Sequence, residues 1–280
     1  MIEIEELLRF IKDNFIHFAG NKIMPKVHPV KGDALKITAD FILRKTTKTM
    51  KAVCDLCSKG YGEDAQVLGR TIFENAINLT FVCKPDFKET RDCLASLYIL
   101  HSAKEQQNKQ RGIEELKKKG KCKEWIEDLE KGKSSLDKQE LMEGASTKEV
   151  LEAAEKCLKE YLRKLGKKPK DKRSWSSISL KDMSEIVGEP YECYYHFIYW
   201  SLSKLVHPST LGSSSYHGVS HPSDEFGETG RALQISFDCY WRIVFMVDKI
   251  FELGFEEEIN QVGQAVWELV ENRLEKARSV

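Results

Sequence analysis

The sequence predicts an all-α fold, a multi-helix bundle with a long protruding charged helical hairpin, and three observations lead there. Apolar residues recur with a period of about 3.6 along nearly every segment, and no stretch alternates as a strand does. Only seven prolines and seventeen glycines interrupt a 280-residue chain, and the prolines and several of the glycines fall where the apolar pattern breaks. Residues 104–173 carry 21 Lys plus Arg and 15 Asp plus Glu with few apolar positions, the composition of a solvated helical pair.

The first amphipathic helix is expected over about residues 3–18, where Ile4, Leu7, Leu8, Ile11 and Phe15 keep helical spacing. A loop through Gly20, Pro25 and Pro29 should follow, then a helix from about 33 to 59 that stops at Gly60 and Gly62. The helix over about 63–83 is apolar on several faces, through Val67, Leu68, Ile72, Phe73, Ala76, Ile77, Leu79, Phe81 and Val82. Such a helix belongs at the centre of a bundle. Lys84-Pro85 ends it, and a long helix runs from about 86 into the charged middle.

The return helix of the hairpin begins at a capping-box pattern, Ser146-Thr147-Lys148-Glu149, and ends near Gly166. A second such pattern, Ser179-Leu180-Lys181-Asp182, opens a short helix closed by Gly188. Pro190 suits the first turn of a helix that Pro208 stops. A Ser/Gly/His loop over about 208–226 follows, and two last helices cover about 228–253 and 256–278. These elements are read as one helical domain over 1–280: an N-terminal helix and loop at 1–30, the hairpin as an insertion at 104–173, and a core from 33–103 and 177–280.

Charge and cysteine usage narrow the setting. The 44 basic and 44 acidic residues cancel, which argues against a protein that coats nucleic acid or membranes over its whole surface. The balance is uneven, because residues 104–173 carry +6 and the remainder −6. The hairpin is therefore the segment expected to meet RNA or a partner protein. Eight cysteines stand singly in helical patterns, apart from Cys54-Asp55-Leu56-Cys57. With an acidic start, Met1-Ile2-Glu3-Ile4-Glu5-Glu6, they suggest reduced thiols in the cytoplasm. No apolar run approaches the ~20 residues of a membrane span.

The residues that could carry chemistry lie on two helices. Over 190–207, Tyr191, Tyr194, Tyr195, Phe197, Ile198, Trp200, Leu202, Leu205 and Val206 leave one polar stripe of Glu192, His196, Tyr199, Ser203 and His207. On the central helix Arg70 and Glu74 sit four residues apart among apolar neighbours and should pair with each other or across the bundle. Together Arg70, Glu74, Tyr199, Ser203 and His207 form the candidate catalytic pocket, and a register-fixing polar network is the competing role.

Beyond it come His217 and the repeated His-Pro-Ser at His221. Three roles compete for the histidines. His207, His217 and His221 could hold a divalent metal with Asp224, Glu225 or Glu228. His207 could instead act as general base or acid beside Ser203 and Arg70 on a phosphodiester. It could simply cap its own helix. No other cofactor is expected, and self-association stands beside RNA and protein as a partner class.

The runs Leu68-Gly69-Arg70-Thr71-Ile72-Phe73-Glu74 and Tyr199-Trp200-Ser201-Leu202-Ser203-Lys204-Leu205-Val206-His207-Pro208-Ser209 resemble a mostly bacterial helical family, domain of unknown function 5677, over about residues 35–250. The resemblance implies an all-α fold and a site at Arg70, Glu74, Ser203 and His207. A looser likeness is to HEPN helical domains, many of them ribonucleases of bacterial defence systems, marked by an Arg four to six residues before a His on one helix. Here Arg173 is the nearest Arg before His207, and Lys204 stands three residues before it. A HEPN-like nuclease built on this chain would need Arg70, Arg231 or Arg242 to bring that charge from another helix. The function expected is accordingly a HEPN-like, nucleic-acid-directed hydrolase of phage defence, with a non-catalytic interaction or dimerisation module as the alternative.

Overall fold

The computed structural model describes residues 2–121, 123, 147–169, 174–199 and 222–278. All regular structure among these residues is helical, as the periodicity predicts. The helices are α1 (Ile2–Phe10), α2 (Ala34–Cys57), α3 (Gly62–Cys83), α4 (Lys88–Lys118), α5 (Thr147–Lys164), α6 (Leu180–Val187), α7 (Tyr191–Tyr194), α8 (Pro222–Phe251) and α9 (Glu256–Arg278). The chain divides into two compact units, one of residues 1–28, 39–84 and 180–280, the other of 29–38 and 85–179.

Two boundaries differ from the sequence reading. The chain after α1 does not enter a loop at Gly20. It continues through π-helical turns at Ile11–Ile16 and Ala19–Ile23 and a 3₁₀ turn at Met24–Val27. The reason is burial: Ile11, Phe15, Ile16, Ala19, Ile23 and Val27 all point inward, and widened turns keep that side facing the core past the point where α-helical phasing would rotate it away. The last residues of the loop expected over 208–226 are helical, because α8 begins at Pro222, six residues before the expected start, and 208–221 lie outside the described residues. Proline at a first helical position lacks an N–H that would go unpaired there anyway, and Asp224 and Glu225 follow in the first turn.

In the first unit α3 and α8 form the central pair. Ile72, Phe73, Ala76, Ile77, Leu79, Phe81 and Val82 on α3, and Leu233, Phe237, Cys239, Tyr240, Ile243, Val244 and Val247 on α8, are almost fully excluded from solvent. The closest approach is set by Gly69, where a β-carbon would stand 2.7 Å from the Ser236 hydroxyl oxygen. Phe15 is entirely buried and meets Phe237 and Tyr240 edge-on, at 5.2 and 5.4 Å between centroids. The Tyr240 hydroxyl lies 2.9 Å from Thr47 Oγ1 on α2, so the ring at the centre of the core has its polar atom matched.

In the second unit α4 packs on α5. Leu94, Ala95, Leu97 and Leu100 on one helix, and Ala154, Leu158 and Leu162 on the other, are buried. The start of α2 closes this unit, with Thr38 Oγ1 donating to the Ala95 carbonyl at 3.3 Å. Tyr98 meets Trp175 edge-on at 5.3 Å. Lys118, Lys119, Lys121, Lys123, Lys164 and Lys168 in the same unit are exposed.

Candidate functional site

Arg70 and Glu74 lie one turn apart on α3, and the structure joins them. Arg70 Nε donates to Glu74 Oε1 at 2.8 Å. From the neighbouring segment Tyr199 completes the cluster: Arg70 Nη2 donates to the Tyr199 hydroxyl at 2.8 Å, and that hydroxyl donates to Glu74 Oε1 at 3.2 Å. The guanidinium carbon also sits 4.7 Å from the Tyr199 ring centroid, close enough for a cation–π attraction. Three of the five sequence candidates are thus brought together. Ser203 and His207 lie outside the described residues, as do His217 and His221.

Tyr199 reaches this position through a π-helical turn. Of the helix expected over 190–207, the described residues are α-helical at Tyr191–Tyr194 and π-helical at Tyr195–Tyr199. This changes the polar stripe, whose phasing assumed an α-helix throughout. A wider turn places Tyr195 and Tyr199 in parallel stacking at 5.0 Å, with 19° between ring planes, while His196 is exposed and has no part in the Arg70 cluster. Phe73 backs the Tyr199 ring at 5.7 Å. Tyrosine 199 is therefore fixed by rings and by hydrogen bonds together.

The electrostatics of the cluster are self-consistent. Burial alone lowers the Arg70 pKa, but the hydrogen bond and charge of Glu74, aided by Tyr199, leave it raised. Arg70 is a permanent cation. Burial and then the Glu74 charge raise the Tyr199 pKa above that of a free phenol, although Arg70 pulls the other way. The phenol keeps its proton at neutral pH, as its donation to Glu74 requires. Arg70 Nη1 is buried and has no hydrogen-bond partner among the described residues. A guanidinium presents its donors in a fixed fork, so an unused one has a definite direction.

A second cluster of the same kind was not singled out by sequence reasoning. Arg242 and Asp238, one turn apart on α8, meet with Arg242 Nε donating to Asp238 Oδ2 at 2.7 Å and Nη2 to Oδ1 at 3.3 Å. The Tyr194 hydroxyl donates to Asp238 Oδ2 at 2.9 Å. The signal was present in the sequence as an Asp-x-x-x-Arg pair on a largely apolar helix, the reverse of Arg70-x-x-x-Glu74. Arg242 was one of three arginines that could supply a charge near His207. Its Nε and Nη2 are held by Asp238.

The remaining chemical candidates are quickly placed. Cys54 and Cys57 are both buried on α2, and burial pushes each thiol up to about 12. Among the described residues no three His, Cys, Asp or Glu side chains gather in a metal-holding group. No helix among them is long and apolar enough to cross a membrane.

The fold and this cluster define an all-α protein with an arginine-centred polar site on the central helix of its first unit. The chain belongs to a family of unknown function (DUF5677), whose model matches residues 41–226. That span is narrower than the 35–250 expected from the resemblance. It includes Arg70, Glu74, Tyr199, Ser203 and His207 and stops before Asp238 and Arg242. No curated protein and no solved structure matches the chain.

Proposed function

We propose that this protein is a HEPN-like, nucleic-acid-directed hydrolase of a bacterial defence system, working in the cytoplasm, with its catalytic residues at Arg70, Glu74, Tyr199, Ser203 and His207. The observation that carries this reading is the buried Nη1 donor of Arg70, which has no partner among the described residues. Arg70 is the cation that meets the phosphodiester, and Glu74 and Tyr199 hold its fork in one orientation. Charge building on the phosphoryl oxygens is stabilised by this preset donor. His207, eight residues beyond Tyr199, moves the proton, and Ser203 binds the scissile group. The exposed lysines of the second unit attract the nucleic-acid backbone, so affinity falls steeply as salt rises.

The direct test is cleavage of end-labelled single-stranded RNA and DNA by the purified protein. Arg70→Ala and His207→Ala should each lower the rate by about 10²–10³-fold while the far-ultraviolet helix signal stays unchanged. Wild-type protein that leaves both substrates intact, with and without added divalent metal, would sink the hydrolase reading.

One observation favours a second reading, a non-catalytic interaction or dimerisation module. The Arg242–Asp238–Tyr194 cluster has the same composition and joins its two segments through a single carboxylate, so this bundle already contains one polar cluster suited to fixing register. Under that reading Arg70→Ala changes stability and partner capture but no chemical rate.

A further inference from the structure

We infer that the Tyr194–Asp238–Arg242 cluster sets the place of Tyr199 against Arg70, which makes Tyr194 and Phe73 positioning residues of the Arg70 site. The link is the short segment that carries both tyrosines. Its Tyr194 hydroxyl donates to Asp238 Oδ2 on α8 at 2.9 Å. Its Tyr199 hydroxyl accepts from Arg70 Nη2 at 2.8 Å and donates to Glu74 Oε1 at 3.2 Å, both on α3. A third tie lies upstream, where the Tyr191 hydroxyl is 3.3 Å from Thr80 Oγ1, also on α3. The segment thus bridges the two central helices.

The π-helical turn makes this bridge possible. An α-helix advances about 100° per residue, so five residues would leave Tyr199 roughly 140° around the axis from Tyr194. A π-turn closes on i→i+5 bonds, and the turn at Tyr195–Tyr199 therefore brings Tyr199 back to the side that Tyr194 faces. Phe73 shows the result. This fully buried ring meets both tyrosines, with centroids 6.5 Å from Tyr194 and 5.7 Å from Tyr199. One side chain of α3 is therefore packed against both clusters.

Burial decides which end is the firm one. Asp238 is almost wholly excluded from solvent, whereas Arg70 and Glu74 are partly exposed. Ion pairs and hydrogen bonds at exposed sites compete with water and are individually weak, and those to a buried carboxylate are stronger. The firm end is Tyr194. Through the turn it fixes where the Tyr199 ring stands against the Arg70 guanidinium, 4.7 Å away. Removing the Tyr194 hydroxyl should release Tyr199 while Arg242 still occupies Asp238, so the bundle should stay folded. The consequence for cleavage rests on the proposed hydrolase chemistry, but the positioning itself does not.

The experiment places 3-fluorotyrosine at position 199 of the full chain and records its fluorine resonance at neutral pH. We expect a line well removed from that of the urea-unfolded chain, and Tyr194→Phe and Phe73→Leu should each move it toward the unfolded position or split it. Thr47→Val removes the hydroxyl beside Tyr240 elsewhere in the same unit and should leave the line in place, which separates positioning from a general loss of stability. Asp238→Asn keeps an acceptor for Tyr194 and should disturb the line less than Asp238→Ala. In the cleavage assay Tyr194→Phe should lower the rate about tenfold, and in a Tyr199→Phe background it should lower it no further. A line unmoved by Tyr194→Phe, or the same tenfold loss with Tyr199 already replaced, would overturn the inference. Wild-type protein that cleaves nothing sinks the hydrolase reading and leaves the fluorine line to decide this one.

Discussion

The two Arg–carboxylate–Tyr clusters of the first unit use the same three functional groups, but they differ in which group stands at the centre. Around Asp238 the carboxylate is the hub: its side chain is only 5% exposed, and it accepts from Tyr194 and twice from Arg242. Around Arg70 the guanidinium is the hub, 22% exposed beside a Glu74 that is 36% exposed, and a buried donor has no partner among the described residues. An acid-centred cluster whose carboxylate already accepts from three donors offers a ligand no buried, unused donor. An arginine-centred one with a spare donor does, and it is this second kind that the proposed chemistry uses.

The comparison breaks most sharply on the acids. Asp238→Ala leaves Arg242 and Tyr194 without their acceptor in a part-buried place, and it should cost about 2–4 kcal/mol of stability. Glu74→Ala removes a more exposed acid whose donors can turn to water, and it should cost roughly 0.5–1.5 kcal/mol. Urea titration of both variants measures the gap. Equal losses would mean that the two clusters are energetically alike and that the hub distinction is only geometric.

The tyrosines give a smaller contrast with a pH signature. Both phenols are raised above the ordinary value, Tyr194 further than Tyr199, in each case by burial first and then by the neighbouring carboxylate. A raised folded pKa means that the unfolded chain loses its proton first as pH climbs. The stabilisation is therefore complete below about pH 10 and is lost as pH rises toward the folded value. Tyr194→Phe should cost about 1–2 kcal/mol near neutrality and visibly flatten the alkaline loss of stability, and Tyr199→Phe should cost less and flatten it less. Tyr191 and Tyr240 are raised in the same direction by burial, so each variant is compared with the wild-type slope. A larger flattening from Tyr199→Phe would reverse the ranking of the two sites.

Much of this was readable in advance, and most of the exceptions share one physical cause. The elements α2, α3, α4, α6 and α9 follow from a constant α-helical period with proline and glycine at the breaks, and the Arg70–Glu74 pair follows from i, i+4 geometry alone. Every place where the period changes escaped. The π-helical turns at Ile11–Ile16, Ala19–Ile23 and Tyr195–Tyr199 are stabilised by burial of particular rings and aliphatic groups, and no local propensity marks them. Of the polar stripe, Tyr199 meets Arg70 and Glu74, while His196 faces water. The Asp238–Arg242–Tyr194 cluster was missed for another reason: an i, i+4 ion pair on an apolar helix is common, and only the approach of Tyr194 from another segment distinguishes it.

The finest test of the Arg70 cluster is the coupling between Arg70 and Glu74 themselves. At 2.8 Å but with the carboxylate one-third exposed, their direct interaction should be worth roughly 0.5 kcal/mol in a double-mutant cycle. It should shrink when the Debye length falls from about 10 Å to about 3 Å between 0.1 and 1 M salt. Arg70→Lys keeps the charge and so most of this coupling, but it lacks the planar fork that reaches Glu74 and Tyr199 together. If the fork matters only for holding Tyr199, Arg70→Lys should change stability little in a Tyr199→Phe background, where Arg70→Ala still loses the coupling to Glu74. If it also presents Nη1 to a phosphate, Arg70→Lys should lose nucleic-acid cleavage while keeping the stability of wild type. Retained cleavage in Arg70→Lys would leave charge alone as the contribution of this residue, and the spare donor would then carry no chemical role.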